Sequence, residues 1–343
     1  MGNGRTRLTF YRYMQLLILK SRQTIQHNKR MRINGSQESV KRRQHSDLPF
    51  VILMVISMVI WGGSWVSAKV VAMRLTPEVL CFWRFLLSFS SLLPLVVLRK
   101  EFVITGPGMT YGLLGAILMS AYMYFFFRGL EHELAGAAGV LVTSMIPLMT
   151  LVLSLILFRK KEKSRDIAGL GLGILGAAIL LKIWTFDLNV LFYSDNLVFL
   201  FCAVLWAILT ICSQRAARTI SPYMFSLITY GMSAIIFLPS AMRQEIGVVF
   251  SQDALFWANM FFLSVISAGF ATTVYFIAAE RLGSYRTSSY VFVVPTSAVL
   301  LSWLFLDETP QLQTIAGGII AIAAVYLINH TPTHRKQAAT KSQ

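Results

Sequence analysis

Few residues in this chain could do chemistry, and nearly all of them are uncharged. Arg84 is the one clear charge inside a membrane-length apolar run, about one and a half turns from its start. A guanidinium at that depth can hold a carboxylate through two parallel hydrogen bonds. Two structural roles compete with that one: snorkelling to lipid headgroups, or clamping carbonyls at a helix end. Hydroxyls and aromatic rings make up the rest of the inventory. Trp61, Ser64 and Trp65 share one face of a first helix, and Trp206 repeats Trp61 at an interval of 145 residues. Thr143 and Ser144 precede Pro147, and Ser288, Ser289 and Tyr290 precede Pro295. Tyr230 and Tyr275 add hydroxyls deep in later runs. Such groups can orient a small zwitterion while aromatic walls exclude water. The candidate substrate-binding or gating residues are thus Trp61, Ser64, Arg84, Thr143, Ser144, Trp206, Tyr230, Tyr275 and Tyr290. Taken singly, each aromatic reads first as packing or interfacial belt. Only the repeat lifts Trp61 and Trp206 above that reading.

What is missing narrows the chemistry further. All 15 acids fall in tails, loops or run ends, with Glu78 and Glu280 at edges. Carriers of cations usually keep a carboxylate in the membrane to pair the cation and exchange protons. No histidine lies in any run: His27 and His45 precede them, His132 is in a loop, and His330 and His334 follow. Ser64 after Gly62-Gly63 therefore has no base to activate it, and a zinc site lacks ligands. No phosphate-cradling glycine loop with Lys and Ser/Thr occurs, so ATP is not expected as the direct energy source. Cys81, Cys202 and Cys212 sit in apolar runs without metal-ligand spacing. The expectation is no catalytic residue, no metal, no cofactor and no enzyme.

The elements that position these residues are membrane helices. Of the 343 residues, 56% are hydrophobic and only 13% charged, about half the charge of a soluble domain. The apolar residues come in unbroken runs of roughly 20, long enough to span the hydrocarbon as helices. Five runs lie at about 50–68, 79–98, 107–127, 135–158 and 166–183. Five more lie at about 193–213, 222–240, 254–277, 286–306 and 311–329. The second set copies the first. Trp61 and Trp206, Pro77 and Pro222, and Pro94 and Pro239 are each 145 residues apart. Pro147 and Pro295, and Ile167-Ala168-Gly169 and Ile315-Ala316-Gly317, are 148 apart. The predicted fold is all-α: ten transmembrane helices as two inverted five-helix repeats. An odd number of spans per copy forces opposite orientations, the pattern of alternating-access transporters. Pro147 and Pro295 are predicted helix kinks, freeing the carbonyls of Thr143 and Val291. They either border a midplane cavity or are plain bends.

The net charge of +16 is a matter of topology, and no nucleic-acid partner is expected. Eleven of the 31 Lys and Arg lie in residues 1–43. With both termini on the inner face of a plasma (inner) membrane, tails and inner loops hold 25 basic residues against five outside. Residues 1–47 read as a basic, disordered cytoplasmic tail, or as one lying on anionic lipid; Met31 is an alternative start. Repeats at 48–183 and 193–330 follow, then a C-terminal tail at 331–343. Gly169, Gly173 and Ala177, and later Gly317 and Ala321, form small-residue faces. They suit close helix packing within the chain or a homodimer seam.

Some of these residues carry a family resemblance. Trp61-Gly62-Gly63-Ser64-Trp65, Pro77, Trp83-Arg84-Phe85 and the stretch Val294-Pro295 through Leu304-Phe305-Leu306-Asp307-Glu308 resemble the EamA-type permeases of the drug/metabolite transporter superfamily. Where that family has an acid after span 4, this chain has Arg159-Lys160-Lys161. The resemblance covers about residues 50–330. It implies a ten-helix inner-membrane permease, often an exporter of amino acids or related metabolites, and leaves the solute open. The expected partners are the bilayer and a small-molecule substrate. Uptake of a nucleoside-like or methyl-donor metabolite is the alternative, and a membrane scaffold or sensor the non-transporting one.

Overall fold

The computed structural model describes residues 48–132, 135–158, 164–181, 194–297, 301 and 312–329. The tails, the Arg159–Lys163 run, Lys182 and the stretch Leu304–Glu308 lie outside them. The chain divides by its contacts after Leu53, and the architecture below is that of residues 54 onward.

The described residues are helical and contain no strand. Among the described residues six helices are long and apolar enough to cross a bilayer. They are α1 (Leu48–Ala72), α2 (Pro77–Leu98), α3 (Gly106–His132), α6 (Ser194–Ala216), α7 (Pro222–Arg243) and α8 (Ala254–Leu282). Between and after them run α4 (Ala135–Phe158), α5 (Ser164–Leu181), α9 (284–297) and α10 (Leu312–Asn329).

The repeat shows in local backbone geometry. Pro77 and Pro222 each occupy the first helical position, where a missing N–H costs nothing. The residues before them, Thr76 and Ser221, are both extended, with ψ of 151° and 154°. Beyond the far ends of α2 and α7, Lys100 and Glu245 adopt left-handed backbones with φ of 54° and 57°. They are again 145 residues apart, so the two copies end this helix in the same way.

Packing crosses between the copies. The largest interfaces are α5 on α10, α2 on α7 and α3 on α6, with α3 also on α7 and α2 on α8. The last two contacts are the same pairing with the copies exchanged. Trp61 of α1 and Trp206 of α6 meet edge to face, ring centres 5.0 Å apart. This pair of repeat-equivalent residues is thus a direct contact between the two copies.

The small-residue faces are used within the chain. A Cβ on Gly169 would stand 2.6 Å from Ile328, one on Gly173 2.4 Å from Phe292, and one on Gly176 2.9 Å from Ala321 and Gly317. Gly169 and Gly176 let α5 and α10 approach closely, backbone against backbone at Gly176, while Gly173 makes room for the Phe292 ring of α9.

The two copies differ at the prolines. α4 continues as an α-helix through Pro147. Before Pro295 the chain tightens into a 3₁₀ turn over Tyr290–Phe292, at the carbonyls that the proline cannot engage. A second asymmetry had no sequence signal. Within α8, residues Phe262–Thr272 form a π-helical stretch. Side chains of neighbouring helices use its carbonyls: Ser88 donates to Ser264 O at 2.9 Å and Tyr230 to Ala268 O at 2.9 Å.

Candidate functional site

A small cavity of about 40 Å³ lies at the Trp61–Trp206 contact. α1 contributes Trp61, Ser64 and Trp65, α2 Arg84, α3 Tyr122 and Phe126, α4 Thr143, α6 Trp206, and α8 Ser267 and Thr272. Both copies thus build its wall. That volume holds a few waters and is too small for a metabolite.

Aromatic contacts are continuous around the cavity. Trp61 packs on Tyr275 at 5.0 Å, Tyr122 on Trp206 at 4.7 Å, and Trp65 on Phe126 at 4.9 Å. Tyr275 is tied behind the tryptophans by a 3.0 Å hydrogen bond to Thr210 Oγ1, which itself donates to Trp206 O. These contacts hold the rings at fixed angles and keep bulk water out.

Among the described residues Arg84 is the only cation in the wall. It is 4% exposed, which excludes snorkelling to headgroups. Its Nε and Nη1 find no hydrogen-bond partner among the described residues, so they clamp no helix-end carbonyl either. The guanidinium carbon stands 5.7 Å from the centre of the Phe127 ring. That contact offsets only part of what the charge loses on leaving water. The arrangement is a buried cationic donor facing an aromatic and hydroxyl-bearing cavity. A carboxylate would satisfy both orphan nitrogens.

Of the residues singled out in the sequence, Trp61, Ser64, Arg84, Thr143 and Trp206 line this cavity, and Tyr275 backs it. Ser64 donates to Trp61 O at 2.7 Å and keeps its lone pairs for the cavity. Ser144 is buried beside Thr143 but does not reach the wall. Tyr230 stacks on Phe85 and spends its hydroxyl on Ala268. Tyr290 is buried in the 3₁₀ turn, away from the wall. Pro147 lies one turn beyond Thr143, whereas Ser288, Ser289 and Tyr290, which precede Pro295, do not line the cavity. Tyr122, Phe126, Ser267 and Thr272 were not foreseen. Among the described residues no cluster of His, Cys, Asp or Glu could hold a metal.

The model of the EamA-like transporter family matches residues 48–182 and, a second time, residues 195–330. The chain belongs to that family. This EamA-like protein is therefore a multi-pass membrane transporter of two-repeat architecture, and not an enzyme. It is 26% identical over 286 residues to an uncharacterized transporter of Archaeoglobus fulgidus, covering 80% of this chain and 96% of that one. A probable amino-acid metabolite efflux pump of Salmonella typhimurium is 24% identical over 291 residues, 81% of this chain and 93% of the pump. An S-adenosylmethionine uptake transporter of Rickettsia prowazekii is 24% identical over 295 residues, 84% of this chain and 95% of its own.

Proposed function

We propose that this EamA-like transporter moves a small carboxylate-bearing metabolite, an amino acid or a near relative, outward by alternating access. In this reading ten helices span the inner (plasma) membrane as two inverted five-helix repeats, with both termini cytoplasmic. The carrying observation is Arg84: a buried guanidinium with two unpartnered nitrogens in a cavity built by both copies. Trp61, Trp206 and Tyr275 form the aromatic wall, and Ser64 and Thr143 supply hydroxyls for the substrate's ammonium or side chain. The likeness to the Salmonella efflux pump supports outward movement of an amino acid. The likeness to the Rickettsia uptake transporter favours, as second reading, inward movement of a methyl-donor metabolite that also carries a carboxylate. Among the described residues no carboxylate lines the cavity to relay protons, which leaves facilitated diffusion or exchange as open to this chain as proton antiport.

The test is flux in proteoliposomes of the purified chain, loaded with labelled amino acids. Saturable efflux that other carboxylates compete for is expected. Absence of flux across a broad panel of amino acids and nucleosides, from protein that stays folded, would overturn the reading.

The proposed outer face carries a latch between the copies. Arg74, just after α1, pairs with Asp253 at the start of α8 at 2.5 Å. Asp253 also accepts the Phe256 N–H at 2.8 Å, capping the helix. The Phe256 N–H, then Arg74, hold its carboxyl below the usual carboxylate range. A depressed acid contributes fully above the usual range and loses that contribution as pH falls through its lowered value. Closure of this face should therefore weaken only in strong acid. Asp253→Asn keeps the cap and removes the charge. It should raise the labelling rate of a Ser64→Cys reporter by an impermeant thiol reagent up to about fivefold at neutral pH. An unchanged rate would show that the ion pair does not hold the closed face.

A further inference from the structure

A second cavity, of about 500 Å³, lies apart from the central site in a groove between α2 and α7. Its wall is almost entirely carbon, from Phe82, Phe89 and Leu93 on α2 to Leu227, Ile235 and Leu238 on α7. Ile235 is 58% exposed, so the groove opens sideways toward the surrounding hydrocarbon. Gly231 sets its depth, because a Cβ there would stand 2.9 Å from the Phe89 ring. An acyl chain fits such a trough, but carbon alone selects no lipid.

The selective element is at one end. There Phe102 and Met109 join the wall, just beyond the exposed cations Arg99 and Lys100. The Arg99 guanidinium lies over the Tyr223 ring at 4.8 Å, next to the wall residue Met224. Thr105 Oγ1 donates to Thr219 O at 3.2 Å, pinning the α6–α7 turn, with exposed Arg218, beside the same mouth. The intervening acid, Glu101, has its Oε2 buried, and one acid against Arg99, Lys100 and Arg218 leaves the mouth net positive. The mouth therefore presents three exposed cations at the end of an apolar trough.

We propose that this groove is a binding site for an anionic phospholipid: one acyl chain lies between α2 and α7, and Arg99, Lys100 and Arg218 surround the phosphate. A second copy of the chain is the poorer occupant. Side-by-side copies in one membrane would bring identical cationic mouths together, which costs energy that an anionic headgroup recovers.

Native mass spectrometry of the full chain, reconstituted with equal phosphatidylglycerol and phosphatidylcholine, tests the site. Retention of phosphatidylglycerol over phosphatidylcholine by about tenfold is expected. The combined Arg99→Gln, Lys100→Gln and Arg218→Gln variant should lose the preference, and Lys100→Gln alone should reduce it if the combined variant fails to fold. Ile235→Trp, which fills the trough and keeps the cations, should lower retention of both lipids. Equal retention of the two lipids by the wild type would overturn the site. So would a preference that survives both kinds of variant. A doubled mass that Ile235→Trp converts to single chains without bound lipid would make the groove a contact between copies, and would overturn it too.

Discussion

Replacing Arg84 with methionine should abolish transport and leave the fold as stable as before, or more so. The two halves of this result separate a substrate-binding arginine from a structural one. A buried charge that supports the fold is paired, and removing it costs stability because its partner is orphaned. Arg84 instead has Nε and Nη1 without hydrogen-bond partners among the described residues, and the face of Phe127 beside its guanidinium. Exchanging such a cation for an apolar side chain of similar volume is neutral or stabilising by up to about 4 kcal/mol. Transport should move the other way. Charge-assisted hydrogen bonds are worth about 1.5–3 kcal/mol each, so losing the pair lowers carboxylate flux at least about a hundredfold. Arg84→Lys keeps the charge but not the planar fork, and should fall between, about tenfold down. The readouts are thermal unfolding in detergent and counterflow in proteoliposomes. A large drop in Tm for Arg84→Met, or full transport by both variants, would make Arg84 a structural residue.

The sequence reached this site unevenly, for physical reasons. Trp61 and Trp206 were legible because the repeat marked them; their contact was not, since equivalent residues meet only where they lie close to the axis that relates the copies. Arg84 was legible because a charge in an apolar run is conspicuous; its depth was not, since one charge near a helix start reads equally as snorkelling. Thr143 and Ser144 looked equivalent in the sequence. A helix turns about 100° per residue, and that turn carries Ser144 off the wall that Thr143 lines. Tyr122 and Phe126 were hidden within the aromatic run Tyr122–Phe127, where periodicity singles out no face. Ser267 and Thr272 were invisible for a subtler reason. Residues five apart lie about 140° apart around an α-helix. In a π-helical stretch, whose bonds link residues five apart, they share a face, and Thr272 Oγ1 donates to Ser267 O at 3.1 Å. Nothing in the composition of Phe262–Thr272 announces that change of pitch. Tyr230 was misplaced by the same segment, which offers the Ala268 carbonyl to its hydroxyl.

The fold itself should fail most sharply at Gly176. This glycine sits where α5 meets α10, and a Cβ on it would stand 2.9 Å from the Ala321 nitrogen and 2.9 Å from the Gly317 oxygen. Both are backbone atoms of a helix, so no side chain can rotate out of the way. The helices must separate along their length, giving up contacts at Gly169–Ile328 as well. Overpacking of this kind costs about 1–3 kcal/mol for the first added carbons. Gly176→Ala should therefore lower the Tm measurably, and Gly176→Leu should leave little monodisperse protein on size exclusion. Gly171, on the same helix, is the control. A Cβ there meets nothing within 4 Å, and alanine is the better helix former by up to about 1 kcal/mol. Gly171→Ala should be neutral or stabilising. Opposite signs for two identical substitutions five residues apart would place the α5–α10 contact at Gly176, whereas equal effects would mean that only helix propensity is being measured.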